Sequence, residues 1–409
     1  MAYRWAEGSK PNPVLESVME SVSLSDGAVG ILRLSVHGDI AVLASMLQGQ
    51  QADDGIDRVD LIWDVLHGIN APISATKLLS LVNVARSEQR KGGLKKFSLI
   101  TTLSTDGAWL PRSLQICELR ARFRKTLPRK FKSARVQLVE EQIRTGIIHE
   151  DLDSYSFVQI DVEAESAGAA FAKSDRELRI LRGLICLLSN PSFEKALLGS
   201  EHKPINVLRT GHFHTIHNTD GSVATDLIWY EPNYSPRITF TPRKPSVLVD
   251  VLKKTLRRMR NCPYNGRLEQ AVIRFASGFD ESDPDAAFLK CWSALESILS
   301  SNVADYKQLV RRFIFLYEDR DYHESILKQL AEHRNASVHR VSDNSLTKSF
   351  CYLLQNYFAT ALKFHIRNYT RFSNFEEALT LLSGPVSQSD VNAAMARALF
   401  AKRFLAIKP

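Results

Sequence analysis

A chain of 409 residues with 44% hydrophobic and 24% charged content can bury a full core. It also exceeds what one core usually fills, which points to two domains and excludes a disordered or low-complexity majority. No window approaches eighteen uninterrupted apolar residues, and the start MAYRWAEGSK lacks a signal-peptide core, so a cytoplasmic protein with no membrane partner is expected. The formal net charge is +8, and residues 246–409 carry 23 Lys/Arg against 17 Asp/Glu, a difference of +6, which places an anionic partner at the C-terminal part.

In chain order, the first 150 residues mix strand-like and helical stretches. Residues 28–36 and 96–103 are rich in β-formers, while 41–48 and 76–85 carry helical patterns. Residues 158–165 alternate Val158, Ile160, Val162 and Ala164 with Gln159, Asp161, Glu163 and Glu165, as a strand with one solvated face does. Leu178, Leu181, Ile185 and Leu188 then share one stripe of a helix over 174–188. A hairpin is expected next, from Asn206 to His217 and from Val223 to Tyr230, because Asp220-Gly221 supplies the positive φ its turn needs.

Prolines at 232, 236, 242 and 245 block helix interiors and central strands, so the domain boundary is expected there. The resulting fold class is α+β: a mixed, β-rich N-terminal domain over 1–245, and an all-α bundle of six or seven helices over 246–409. Within the bundle, Ser282-Asp283-Pro284-Asp285 is a helix start signal, with a capping side chain and proline pre-set for the first turn. The five cysteines, Cys117, Cys186, Cys262, Cys291 and Cys351, are never paired as CxxC and read as reduced core residues.

One helical segment of the bundle bears chemistry. Ile326, Leu327, Leu330 and Val338 recur at helical spacing, and Arg334, Asn335 and His339 fall within six positions among them. An arginine fork holds a phosphate and stabilises charge growing on it, while a histidine with a pKa near 6.5 exchanges protons at neutral pH. The plain structural reading is a helix-surface cation and a core-edge histidine. Five residues on an ideal helix turn the side chains about 140° apart, so they meet at one phosphate only if the helix starts or bends inside the motif, or if two protomers contribute.

The C-terminal part, roughly 246–405, resembles the Apea-like HEPN group. The resemblance is carried by Trp292-Ser293-Ala294-Leu295-Glu296, by Arg311-Arg312, and by Arg334 to His339, which fits the family's pattern of Arg, a polar residue, three variable residues and His. The N-terminal part is similar in general layout to the β-rich domain that precedes HEPN in such proteins. The resemblance implies a helical bundle that dimerises so that two motifs face each other and form one composite, metal-independent RNase site needing no cofactor. By this carry-over His339 is the general acid/base, Arg334 binds the scissile phosphate, and Asn335 orients the pair. Glu296 is a candidate to hold Arg334, because a buried glutamate needs such a partner. Bacterial antiviral and toxin-like roles are implied by the resemblance alone.

Two basic stretches are candidates for an RNA path. Residues 120–135 hold Arg120, Arg122, Arg124, Lys125, Arg129, Lys130, Lys132 and Arg135 without an acid, with Phe123 and Phe131 between them to stack bases; the alternative is a solvated loop or strand edge. Lys253, Lys254, Arg257, Arg258 and Arg260 share a helix with an apolar stripe, and a solvated face is the alternative there.

His212 and His214 point the same way on a strand and suggest a metal site, His217 points the other way, and surface histidines on a hairpin are the plain alternative. Asp161, Glu163 and Glu201-His202-Lys203 make a poor metal-nuclease pattern, since the last three lie in a loop-like stretch.

The expectation is therefore a homodimeric endoribonuclease that attacks through the RNA 2'-OH, with the N-terminal domain sensing a trigger or a regulatory partner. A non-catalytic RNA-binding or oligomerisation module is the first alternative. A metal-dependent hydrolase using His212 and His214 is the second.

Overall fold

The computed structural model describes residues 2–25, 28–33, 35–49, 58–144, 146, 154–192, 205–231, 234–301, 306–339 and 344–406. Among them the fold is α+β, with helices throughout the C-terminal part and one six-stranded sheet.

The chain opens with α1 (Pro11–Ser21), α2 (Val36–Met46), α3 (Arg58–His67) and α4 (Ala75–Lys91). Two short pairs accompany them: β1 (Arg4–Trp5) with β4 (Leu47–Gln48), and β2 (Val22–Ser25) with β3 (Ala28–Ile31). The strand expected over 28–36 stops at Ile31, and α2 begins at Val36. These elements enclose a core of their own, running from Tyr3 to Val82. It is closed by Asn83, whose side chain accepts the Tyr3 N–H at 2.6 Å and donates to the Tyr3 carbonyl at 3.1 Å.

The sheet follows. It contains β5 (Lys95–Leu103), β6 (Ser113–Gln115), β7 (Arg120–Arg124), β8 (Ser156–Ala164), β9 (Phe213–Asn218) and β10 (Trp229–Tyr230). Their order is β10-β9-β5-β8-β7-β6, every pair antiparallel. The β9–β10 hairpin turns where Asp-Gly predicts: Gly221 sits at φ +99° with the Lys130 carbonyl against it, leaving no room for a Cβ.

Alternation decides the faces. Leu99, Ile160, Ala121 and Ile216 pair across one face, which α6 (Ala167–Ser189) covers. On the other face α5 (Arg129–Arg144) seats Phe131 against His217 at 5.1 Å and buries Arg135, which donates to the Ile100 carbonyl and to Thr215 Oγ1 while lying 4.4 Å over the Phe213 ring.

From Pro245 onward every described element is a helix: α7 (Pro245–Arg260), α8 (Asn265–Gly278), α9 (Pro284–Leu299), α10 (Tyr306–Ile314), α11 (Arg320–His339), α12 (Asn344–Arg367), α13 (Phe375–Leu382) and α14 (Gln388–Ala406). The proline-rich stretch marks this change of architecture, but it does not divide the core. A single apolar core continues from Phe97 in the sheet to Leu382 in the bundle. The two cores meet the chain at residues 3–82 and 97–382, so the expected boundary at 245 falls inside the larger one.

Helix α6 is the reason, since it packs on the sheet with one side and on α8 with the other. At Gly183 the helices approach so closely that a Cβ would lie 2.8 Å from Val272 Cγ1. Polar groups of α6 add directional ties. Glu177 accepts the backbone N–H groups of Cys117, Glu118 and Leu119 in the β6–β7 turn, and burial outweighs these bonds to push its carboxyl up. Arg176 pairs with Glu269, Arg179 with Asp175 and Glu231, and Arg182 with Asp280. All five cysteines are free and buried, and burial pushes the thiol of each one up. Among the described residues no helix is long and apolar enough to cross a membrane.

Candidate active site

Helix α9 starts where its sequence signal lies: the Asp283 side chain accepts the Ala286 N–H at 3.0 Å, and Pro284 opens the first turn. Its inward stripe buries Phe288, Cys291, Trp292, Leu295, Ile298 and Leu299. Glu296 sits half-buried one turn after Trp292 and accepts the indole Nε1–H at 2.6 Å. Helix α10 places Tyr306 beside Trp292, ring centroids 6.2 Å apart, and α11 lays the Arg334 guanidinium over the Tyr306 ring at 5.3 Å. The pieces of the predicted motif on α9 and α11 thus come together around a tyrosine.

The expected Glu296–Arg334 pair is not formed. Among the described residues Glu296 is engaged by the indole, and the hydrogen bond of Arg334 goes to its neighbour, NH1 to Asn335 Oδ1 at 3.3 Å. Tyr306 lies within reach of both charges. Burial pushes its hydroxyl pKa up, Glu296 pushes the same way, and Arg334 opposes both. Arg334 is stacked, a mode that suits a planar guanidinium fork, and among the described residues its one hydrogen bond uses NH1 alone. Such a fork is prepared for a two-oxygen anion such as a phosphate.

Helix α11 runs unbroken to His339. Arg334 and His339 are then separated by about 140° and about 7.5 Å of rise, so a helix start or bend inside the motif does not bring them together. The His339 side chain lies outside the described residues, as do Arg340 and the Glu201-His202-Lys203 stretch. His333, next to Arg334 in the chain, has a plainer role: it packs edge-on against Phe288 and Phe350, with centroids 4.8 and 4.9 Å away, and bonds Thr347 Oγ1 at 3.0 Å. Burial lowers its pKa, with Asp285 opposing. Arg312 is also structural, donating to the Leu299 carbonyl at 2.7 Å and to Ser383 Oγ at 2.9 Å, while Arg311 is exposed.

The basic stretch of 120–135 is divided by the fold. Arg120, Arg122 and Arg124 lie on the outward side of β7, where Arg122 is paired with Asp161, whose carboxylate also accepts Ser98 and Gln159. Burial raises the Asp161 pKa, but these bonds and the Arg122 charge outweigh it and hold the carboxyl below its usual range. Strand β7 is not at the sheet edge, because β6 flanks it. Phe123 and Phe131 are core residues, 7% and 0% exposed, and cannot stack bases. Lys130 lies over Phe131 and donates to the Thr219 carbonyl, and Arg135 is buried. Arg120, Arg124, Lys125, Arg129 and Lys132 remain as exposed cations. On α7, Lys253, Lys254, Arg257 and Arg260 are exposed and Arg258 lies 5.9 Å over Tyr369; among the described residues none of the five forms an ion pair.

The histidines on and beside β9 are not surface residues, and among the described residues no group of three or more possible metal ligands forms around them. His212, His214 and His217 are 8%, 2% and 0% exposed. His214 turns Nδ1 to Thr101 Oγ1 at 2.6 Å and Nε2 to Glu231 at 3.5 Å. His217, on the opposite face as its register predicts, turns its nitrogens to Thr215 Oγ1 and the Gly221 carbonyl. Burial of Glu231 is outweighed by His214 and by Arg179, which hold its carboxyl well below the usual range.

Tyr306 and His333 are the residues that sequence reasoning missed. Tyr306 lies 28 positions before Arg334, and only the packing of α10 on α11 brings them together. No family model, no curated protein and no solved structure matches the chain.

Proposed function

We propose that the chain is a metal-independent endoribonuclease of the HEPN type, cleaving RNA by attack of the 2'-OH at a site shared between two copies. The observation that carries this reading is Arg334, stacked on Tyr306 and, among the described residues, hydrogen-bonded through NH1 alone, about 1.4 turns before His339 on a continuous helix. One histidine is not enough for the reaction. A group must take the proton of the 2'-OH, another must give one to the leaving 5'-oxygen, and a two-fold axis supplies the second imidazole from the second copy. Arg334 stabilises the charge that develops on the phosphate. Asn335 orients its guanidinium, and Glu296 acts at one remove by fixing Trp292 against Tyr306.

The exposed cations of α7 and of the β7–α5 stretch form the path for the rest of the RNA strand. The unit enclosing its own core over residues 3–82 is the sensing or regulatory part. The place of action is the cytoplasm, and the biological setting is defence against phage or a toxin-like role.

The test uses purified wild type, His339→Ala and Arg334→Ala incubated with mixed RNA in EDTA. Wild type is expected to leave 2',3'-cyclic phosphate and 5'-hydroxyl ends, and each variant to lose at least about a hundredfold in rate. A 2'-deoxy substitution at the cut position is expected to block the reaction. Cleavage that survives His339→Ala would remove the assigned site. RNA binding without cleavage by any form would favour a binding module, and cleavage abolished by EDTA would reject the metal-independent mechanism.

A further inference from the structure

A groove of about 840 Å³ runs between the start of α7 and the end of α6. Its apolar lining includes Leu188, Val207, Ile238, Phe240, Val247 and Val251. Four of these are large apolar side chains left in solvent: Leu188 is 42% exposed, Ile238 89%, Val247 55% and Val251 41%. Leaving so much apolar surface open in one concave place is unfavourable unless something covers it.

The wall opposite α7 is a built one. The Arg237 N–H donates to the Tyr155 hydroxyl at 2.8 Å, the Phe240 N–H to the Ser104 carbonyl at 2.8 Å, and Thr105 Oγ1–H to the Phe240 carbonyl at 2.7 Å. The segment bearing Ile238 is therefore fixed to the sheet.

Charge states what kind of ligand belongs there. Among the described residues, the charged ones lining the groove are Arg237, Arg243 and Lys244, with no carboxylate. Arg243 and Lys244 immediately precede α7, while Val247, Leu248 and Val251 continue along it. Seven helical steps lead from Lys244 to Val251, about 10 Å. The groove thus carries two adjacent cations at the start of α7, a third on the facing wall whose guanidinium is bonded to the Asn206 carbonyl, and apolar side chains along α7.

We infer that this groove is a binding site for a small anionic amphiphile, a molecule with a carboxylate or phosphate head and an acyl-type tail of roughly 10 Å. The head meets Arg243 and Lys244, and the tail covers Val247, Val251, Leu188 and Ile238. The site shares no residue with the Arg334 cluster and does not rest on the nuclease reading.

Titration calorimetry of the full chain tests it, with decanoate, decyl phosphate, decanol, decyltrimethylammonium and inorganic phosphate, all below micelle formation. Decanoate or decyl phosphate is expected to fill one saturable site, and which of the two binds tighter identifies the head. Decanol and inorganic phosphate are each expected to bind at least tenfold more weakly, since each satisfies only half of the groove. The double variant Arg243→Ala/Lys244→Ala is expected to weaken decanoate at least tenfold and to leave decanol unchanged. Val251→Asp, at an exposed position that the core does not need, is expected to weaken both. Absence of saturable binding, equal binding of the cationic amphiphile, or wild-type affinity in both variants with an unchanged circular dichroism spectrum would overturn the proposal.

Discussion

Asp280→Ala is expected to destabilise the protein by about 3–5 kcal/mol, read as a lower urea midpoint of the first unfolding transition. Asp280 follows α8 and faces two arginines that are almost completely buried, Arg182 at 1% and Arg209 at 5% exposed. Its carboxylate accepts Arg182 NH1 and Asn206 Nδ2, both at 2.8 Å, and lies 3.4 Å from Arg209 Nε. Burial alone would raise the Asp280 pKa, but the Arg182 and Arg209 charges outweigh it and hold the carboxyl below its usual range.

Removing the carboxylate takes away the charge that both buried guanidinium groups share, the costly kind of deletion. Arg182→Met is expected to cost less than Asp280→Ala, because Asp280 then keeps Arg209 and Asn206. An equal loss in both variants would show that the triad is not the tie between α6, α8 and the 205–211 segment that the geometry makes it. The size matters because total stabilities are only about 5–15 kcal/mol.

The second large effect is acid lability between about pH 6.5 and pH 4. His217 and His365 are both fully buried, and burial lowers each pKa from 6.5 to about 4. At His217 the charges of Arg135 and Lys130 act in the same direction, and the Gly221 carbonyl opposes them. At His365 the Ile298 carbonyl opposes burial, and the Tyr264 hydroxyl bonds the other nitrogen at 3.1 Å.

Each imidazole stays neutral in the folded chain while the unfolded chain takes up a proton below pH 6.5, so their contribution is complete above that value and falls as pH drops toward 4. The loss is about 3 kcal/mol for each histidine over the window. Glu177, whose carboxyl is raised, works in the opposite sense and offsets part of it. Urea midpoints measured from pH 7 to pH 4.5 are expected to fall steeply, and His217→Gln is expected to remove about one proton, roughly 1.4 kcal/mol per pH unit, from the slope. An unchanged slope in that variant would mean that His217 titrates normally and is not sealed between α5 and the sheet.

Much of the local structure was legible because it depends on near neighbours. The 3.6-residue period drew α6 and α7 from their apolar stripes, and the start of α9 was readable from Asp283-Pro284 alone. Strand alternation placed Val158, Ile160 and Val162 on one buried face, and the turn at Gly221 followed from its chemistry.

Helix α5 was hidden for an equally local reason. Arg135 occupies a core position, so the apolar period is broken at the residue where a guanidinium is satisfied by Ile100, Thr215 and the Phe213 ring. The dense cations around it then read as a loop, and Phe123 and Phe131 as bases' stacking partners.

The amino-acid sequence by itself determined where most helices and strands lie and which end of the chain is all helix, and it singled out Arg334, Asn335 and His339 as the residues on which the proposal rests. Only the tertiary structure decided how those pieces combine, because burial and charge pairing depend on partners far away in the chain. It made the sheet and the bundle share one core through α6, placed Tyr306 rather than Glu296 against Arg334, and turned three apparent hairpin histidines into buried ones. The physical cause is common to all three: a residue's own neighbours set its backbone conformation, while the face it presents and the group that satisfies it are supplied by another element.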